Sequence, residues 1–182
     1  MSEEKNTPEA VEQEPLTETE INEQMQFRIN KMNQLAEQGL EPFGRKFDWS
    51  HHAQDIADDF EELSEKETVV RLAGRVMAIR GHGKTAFLDL LDKTGRIQLY
   101  VRKDALGEDN YGIIKLMDIG DIIGVSGTVF RTHMGELSIK AVSLEILSKA
   151  LRPLPEKWHG LKDIETRYRQ RYVDLIVNPD VR

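Results

Sequence analysis

A chain of 182 residues, 39% hydrophobic and 31% charged, has room for one well-buried domain with an appendage, under a soluble and highly charged surface. The absence of Cys excludes a disulfide framework, a zinc–thiolate site and a thiol nucleophile, and no run approaches the roughly 20 apolar residues of a membrane span. The net charge of −7 is already carried by residues 1–24, with eight Glu against one Lys, whereas residues 68–147 sum to +2 and 148–172 to +4, so a polyanionic partner would meet the later segments.

Residues 1–16 are Glu-rich, contain Pro8 and Pro15, and have too few large apolar side chains to offset chain entropy, so a disordered acidic tail is expected. The tail lacks the apolar core of a secretory signal, and the Cys-free chain fits a cytoplasmic setting. A helical extension over 17–67 follows. Thr17 and Glu20 have capping-box spacing, and Ile21, Met25, Ile29, Met32, Leu35 and Ala36 recur at steps of three or four, with Arg28, Asn30, Lys31 and Gln34 on the opposite face. Gly39 and Pro42 stop that helix, and a second, shorter one is expected from Ser50 as N-cap through Leu63.

From Thr68 the period becomes two. A first strand over 69–78 lines up Val70, Leu72, Gly74, Val76 and Ala78, with Arg71 and Arg75 on the other face. The second, about 85–91, turns Ala86, Leu88 and Leu90 one way and Phe87 and Asp89 the other. The third, 96–102, buries Ile97, Leu99 and Val101 and shows Arg96, Gln98, Tyr100 and Arg102, after a turn at Lys93-Thr94-Gly95. A helical or irregular connector spans 104–118, then strands run over 121–130 and 136–147, the last with a bulge near Ala141-Val142. Five strands with a helix between the third and fourth give a mainly β fold, an OB-fold barrel over 68–149 preceded by one or two α-helices. A five-stranded barrel of other connectivity has the same pattern.

Phe87 is the most informative residue of the candidate site. If Leu91 pairs with Arg96, Phe87 lies opposite Tyr100 and diagonal to Gln98 on the outer face, with Arg75 and Arg96 nearby. Exposed rings stack bases, amides read base edges and arginines neutralise phosphates, which is the chemistry of single-stranded nucleic-acid binding. Packing of Phe87 under the amino-terminal helix is the competing reading. The loop RGHGKT at 80–85 is not a P-loop, because Ala78 stands where the first Gly is needed and a strand follows Lys84. Arg80, His82 and Lys84 are therefore candidates for RNA contact from a barrel loop, with a plain flexible hairpin as the alternative. His51, His52, His82, His133 and His159 show no metal spacing, and no catalytic motif is present.

The tail LRPLPEKWHGLKDIETRYRQRYVDLI closely resembles the segment that joins the anticodon-binding OB-fold of bacterial-type lysyl-tRNA synthetases to their class II catalytic domain. AGRVMAIR, GRIQLYVRKD, GDIIGVSGTVFRT and GELSIKA resemble barrel strands of that family in the same order, and the likeness covers about residues 20–178. It implies that residues 150–182 are a linker and the start of a catalytic domain whose motifs lie beyond this chain. It also implies that Phe87 stacks the central anticodon base, that Gln98 and Glu136 read base edges, and that Arg80 assists, although strict alternation would turn Arg80 inward unless the strand bends near Ile79. The implied parent is a homodimeric ATP- and magnesium-dependent lysine–tRNA ligase that binds lysine tRNA. This fragment is then expected to be monomeric, non-catalytic and without cofactor or membrane contact. A general single-strand-binding module and a protein-interaction domain remain as alternatives.

Overall fold

The computed structural model describes residues 17–154, 164–178 and 181. The expected acidic tail, 1–16, and the linker residues 155–163 lie outside the described residues. The chain divides into two units, Glu23–Leu154 and the flanking segments Met1–Asn22 with Pro155–Arg182.

In the flanking unit, the capping box is formed at the start of α1 (Glu18–Glu37): Glu20 accepts from the Thr17 backbone N–H and hydroxyl, both at 2.8 Å, and Thr17 Oγ1 accepts from the Glu20 N–H. The Arg-rich carboxy-terminal run forms two short helices, α6 (Ile164–Arg169) and α7 (Arg171–Val177). Their basic residues are partly consumed locally, since Asp174 accepts from Arg167 at 3.0 Å and from Arg171 at 2.5 Å.

The larger unit is built on five strands, β1 (Val69–His82), β2 (Thr85–Leu91), β3 (Arg96–Arg102), β4 (Ile122–Arg131) and β5 (Leu137–Ser148), closed in the order β1-β2-β3-β5-β4. Only β3 and β5 pair in parallel. That closure is the OB arrangement, and it rules out the other connectivities. Val70, Leu72, Val76, Leu88, Leu90, Leu99, Val101, Ile123, Val125 and Ile139 fill the interior with no exposed surface. Gly74 lies next to the point where β1 passes from pairing with β4 to pairing with β2, and a Cβ there would stand 2.9 Å from both Leu90 Cγ and Leu91 O. The connector consists of α4 (Lys103–Leu106) and α5 (Glu108–Leu116), whose Leu106, Ile113 and Leu116 join the core.

Three register shifts interrupt the strand pairing, and the ones at Met77 and Val142 decide which way the side chains near the outer face point. In β5, Ser126 pairs with Ser143 and Gly127 with Ala141, which leaves Val142 out of register and half exposed, as the slipped alternation predicts. In β1 the register shifts between Val76 and Ala78, and Val76 and Met77 are both buried. The expected unbroken set ending at Ala78 is therefore interrupted at Met77, and every later β1 residue faces opposite to simple alternation. The strand also continues to His82.

The helical extension is more divided than expected. Ser50 does not cap the second helix, because its hydroxyl accepts from the Arg71 N–H at 2.9 Å and its N–H donates to the Arg71 carbonyl. Instead α2 (Ala53–Asp58) starts against the β2–β3 turn, with Asp92 accepting the Ala53 N–H at 2.8 Å and Thr94 Oγ1 the Gln54 N–H at 3.1 Å. A break at Asp59 separates it from α3 (Phe60–Glu65).

Arg28 and Lys31, expected on the solvated face of α1, are instead turned into the domain. Arg28 is 8% exposed and donates to the carbonyls of Ile119, Ala150 and Arg152 at 3.1, 2.9 and 3.2 Å. Lys31 binds Asp118 at 2.7 Å, and the fully buried Lys149 ammonium contacts Asp118, Asp121 and the Leu116 carbonyl at 2.7, 2.7 and 2.8 Å. Burial opposes ionisation of Asp118, but the hydrogen bonds and charges of Lys149 and Lys31 outweigh it and hold its carboxyl below the usual range. At Asp92 burial is likewise the largest single influence and is overcome by donors from Ala53, Thr94 and Gly95. Both groups have folded pKa values below their unfolded ones. The stability they contribute is complete above about pH 4 and is lost as the pH falls through the lowered values. Urea midpoints measured from pH 6 to pH 3 should therefore decline below about pH 4, and Asp118→Asn should flatten that decline.

Candidate nucleic-acid interface

The β2–β3 hairpin has the register inferred from its turn. Leu91 pairs with Arg96, Phe87 with Tyr100 and Asp89 with Gln98. Asp92 fixes the turn, its Oδ1 accepting from the Thr94 and Gly95 N–H groups at 2.7 and 2.9 Å. Phe87 and Tyr100 stand side by side on the outer face with ring centroids 5.1 Å apart, and both remain partly exposed. Phe130 of β4 continues the aromatic row, 5.8 Å from Tyr100. Phe87 touches solvent in the structure, so it is available as a stacking surface.

The bulge at Met77 brings Arg80 to this face. Arg80 pairs in register with Phe87, and its guanidinium donates to Asp89 at 2.7 Å. Asp89 orients it, while more than half of the Arg80 side chain stays in solvent. The inward direction expected from alternation is thus corrected by one extra residue in β1.

Gln98 departs from its expected display. It is 7% exposed because β5 pairs with β3 in parallel and sets Ser138 directly beside it. Ser138 Oγ donates to Gln98 Oε1 at 3.0 Å, and Gln98 Nε2 donates to Glu136 Oε2 at 2.8 Å. Glu136 is delivered by the β4–β5 hairpin. That turn is braced by Gly135 N–H to Thr132 O at 2.8 Å, Thr132 N–H to Glu136 O at 2.9 Å and Arg131 to the Gly135 carbonyl at 3.1 Å. Gly135 has φ +82°, a left-handed conformation that glycine adopts without a Cβ penalty. Glu136, Gln98 and Ser138 therefore form one hydrogen-bonded chain next to the rings.

The remaining sequence-derived candidates lie elsewhere on the barrel. Arg75 and Arg96 both flank Leu91, four residues along the strands from Phe87 and Tyr100, or about 13 Å away. Arg75 donates to the Gly120 carbonyl at 2.7 Å. They do not join the aromatic platform as expected. Lys84 is exposed in the β1–β2 turn, and the His82 backbone pairs with Thr85.

Three residues were missed by reading the sequence. Lys140, exposed and in register with Tyr100, puts a cation beside the platform; Ser138 holds Gln98; Phe130 extends the rings. All three reach the face through barrel closure. For Ser138 and Lys140, alternation along β5 carried the only available signal, and the Val142 bulge confuses it. Among the described residues no group of His, Asp and Glu is placed to hold a metal ion, and no helix is long and apolar enough to cross a membrane.

Residues 70–147 match the family described as an OB-fold nucleic acid binding domain of the tRNA anticodon type. The chain is similar to the lysine–tRNA ligase of Bacillus subtilis, 55% identical over 173 residues, covering 92% of this chain and 35% of the relative. It is 55% identical over 163 residues to the lysine–tRNA ligase of Carboxydothermus hydrogenoformans, and 51% over 168 residues to that of Lactiplantibacillus plantarum; each alignment covers 90% of this chain. The chain spans about a third of the length of these relatives.

Proposed function

Because residues 70–147 form an OB-fold nucleic-acid-binding domain in a chain whose relatives are lysine–tRNA ligases, we propose that this chain is the anticodon-recognition part of such a ligase. The observation that carries the reading is the outward Phe87–Tyr100 pair with the Gln98–Glu136 hydrogen-bond chain beside it. A base stacks on Phe87, the amide reads its edge, and Arg80 and Lys140 meet the phosphates on either side. Lys84 extends the cationic rim toward the β1–β2 turn.

The activity of the whole enzyme is assigned to the two thirds of the relatives' length that this chain does not span. That activity is the joining of lysine to its tRNA with ATP and magnesium, in a cytoplasmic homodimer. The 182 residues act in recognition, as a monomer.

Titration of labelled anticodon stem-loops tests this reading. A lysine-type loop with uridine at its centre should bind more tightly than an adenosine-rich loop of the same length, and binding should weaken steeply with salt. Equal affinity for both loops would identify a general single-strand binder, and no salt-sensitive binding would leave a protein-interaction domain. Lysine-dependent pyrophosphate exchange should be absent from this chain alone.

A further inference from the structure

We propose that Arg131 is a positioning residue: by spanning the Phe60 ring and the Gly135 carbonyl it braces the β4–β5 hairpin against α3, and so holds Glu136 at the RNA-binding face. The proposal rests on the anticodon-binding reading and gives the helical extension a part in recognition.

His133, Met134, Gly135 and Glu136 are all exposed, so the tip of this hairpin stands in solvent. Its internal bonds, from the Gly135 N–H to the Thr132 carbonyl at 2.8 Å and from the Glu136 N–H to Thr132 Oγ1 at 3.1 Å, set the shape of the turn. They do not set the direction in which the turn leaves the barrel, because both partners of each bond belong to the turn. A direction needs a tie to another element. Arg131 supplies one at the foot of the hairpin, where it pairs in register with Leu137. Its guanidinium carbon lies 4.6 Å from the centre of the Phe60 ring, and its Nη1 donates to the Gly135 carbonyl at 3.1 Å. A guanidinium is planar, so it can lay its face on a ring and still donate from its edge, whereas an ammonium is a compact point charge.

Phe60 is a firm support. It opens α3 and packs against the core cluster, and one turn later comes the buried Leu63, whose carbonyl accepts from the Thr68 N–H just before β1. At the other end, Glu136 Oε2 accepts from Gln98 Nε2 at 2.8 Å. A continuous chain of contacts therefore runs from α3 through Arg131, Gly135 and Glu136 to β3. Arg131 is itself exposed, so direct contact of its guanidinium with a phosphate is the competing reading.

The test measures binding of an anticodon stem-loop to the 182-residue chain over a range of salt. Arg131→Met and Phe60→Leu should each weaken binding about fivefold, with the unfolding midpoint of Arg131→Met unaltered. The double variant should lose no more than either single one, because both cut the same tie. The slope of log affinity against log salt should stay that of the unchanged protein, and Arg131→Lys should restore little. A direct phosphate contact gives the reverse: Phe60→Leu binds normally, Arg131→Met lowers the slope by about one, and Arg131→Lys restores most of the affinity. Any of those three results, or additive losses in the double variant, overturns the proposal. Amide hydrogen exchange of the free protein reads the brace without RNA. Gly135 and Glu136 should exchange faster in Arg131→Met, and unchanged rates overturn the proposal as well. If the unchanged protein binds no stem-loop, the anticodon reading has failed, and exchange alone decides whether the brace exists.

Discussion

Lys149→Met should lower the stability of the barrel by about 3–5 kcal/mol, the largest effect expected of any single substitution in this chain. The Lys149 side chain has no exposed surface and makes three polar contacts, to Asp118, Asp121 and the Leu116 carbonyl. Asp121 is equally buried and also accepts the Asp118 and Ala150 N–H groups. Removing the ammonium leaves the Asp121 carboxylate in a space that water does not reach. Urea unfolding measures the loss, and Lys46→Met is the control, since Lys46 is 87% exposed and its pairing with Asp48 contributes little. The double variant Lys149→Met/Asp121→Asn should recover part of the loss, because the uncompensated charge is removed with its partner. A Lys149→Met midpoint equal to that of the control would show that this cluster does not hold the segment after β5 in place.

Phe87→Ala should weaken anticodon stem-loop binding by about 1–3 kcal/mol, roughly five- to 150-fold, with little change in the unfolding midpoint. The ring lies on the outside of β2 and meets Tyr100 and solvent, while the adjacent Ala86 and Leu88 point into the core. Truncation removes a stacking surface and leaves no internal cavity. Phe87→Tyr should retain most of the affinity, since the ring face is preserved. An unchanged dissociation constant for Phe87→Ala would sink the stacking platform, whatever the behaviour of Gln98.

The hairpin that carries Phe87 was readable from the sequence because two local signals agreed. Alternation assigned Ala86, Leu88 and Leu90 to the interior, and the turn at Lys93-Thr94-Gly95 set the register that places Phe87 opposite Tyr100. Arg80 was not readable in the same way. The stretch Val76-Met77-Ala78-Ile79 contains no polar residue to mark where the phase changes, and only pairing with β2 reveals that Met77 is the extra residue. Arg28 looked like a solvated charge because its partners are carbonyls roughly a hundred residues away in sequence, invisible to any helical periodicity. Gln98 looked exposed for a related reason. Its alternation was read correctly, but the outer face of β3 is covered at that point by the hairpin bearing Glu136 and Ser138. The candidate contacts were thus legible where they depend on neighbours in the chain and obscure where they depend on closure.

The parallel pairing of β3 with β5 also separates the site in time. Phe87 and Tyr100 meet within one hairpin, a local event that needs only a short loop. Gln98 meets Ser138 forty residues later, in the contact that shuts the barrel, and it carries the greater loop-closure entropy. The residues of the stacking half are therefore joined early and locally, but a lone hairpin is marginally stable, so the platform and its hydrogen-bonding edge become a lasting site together, when the last strand closes the barrel.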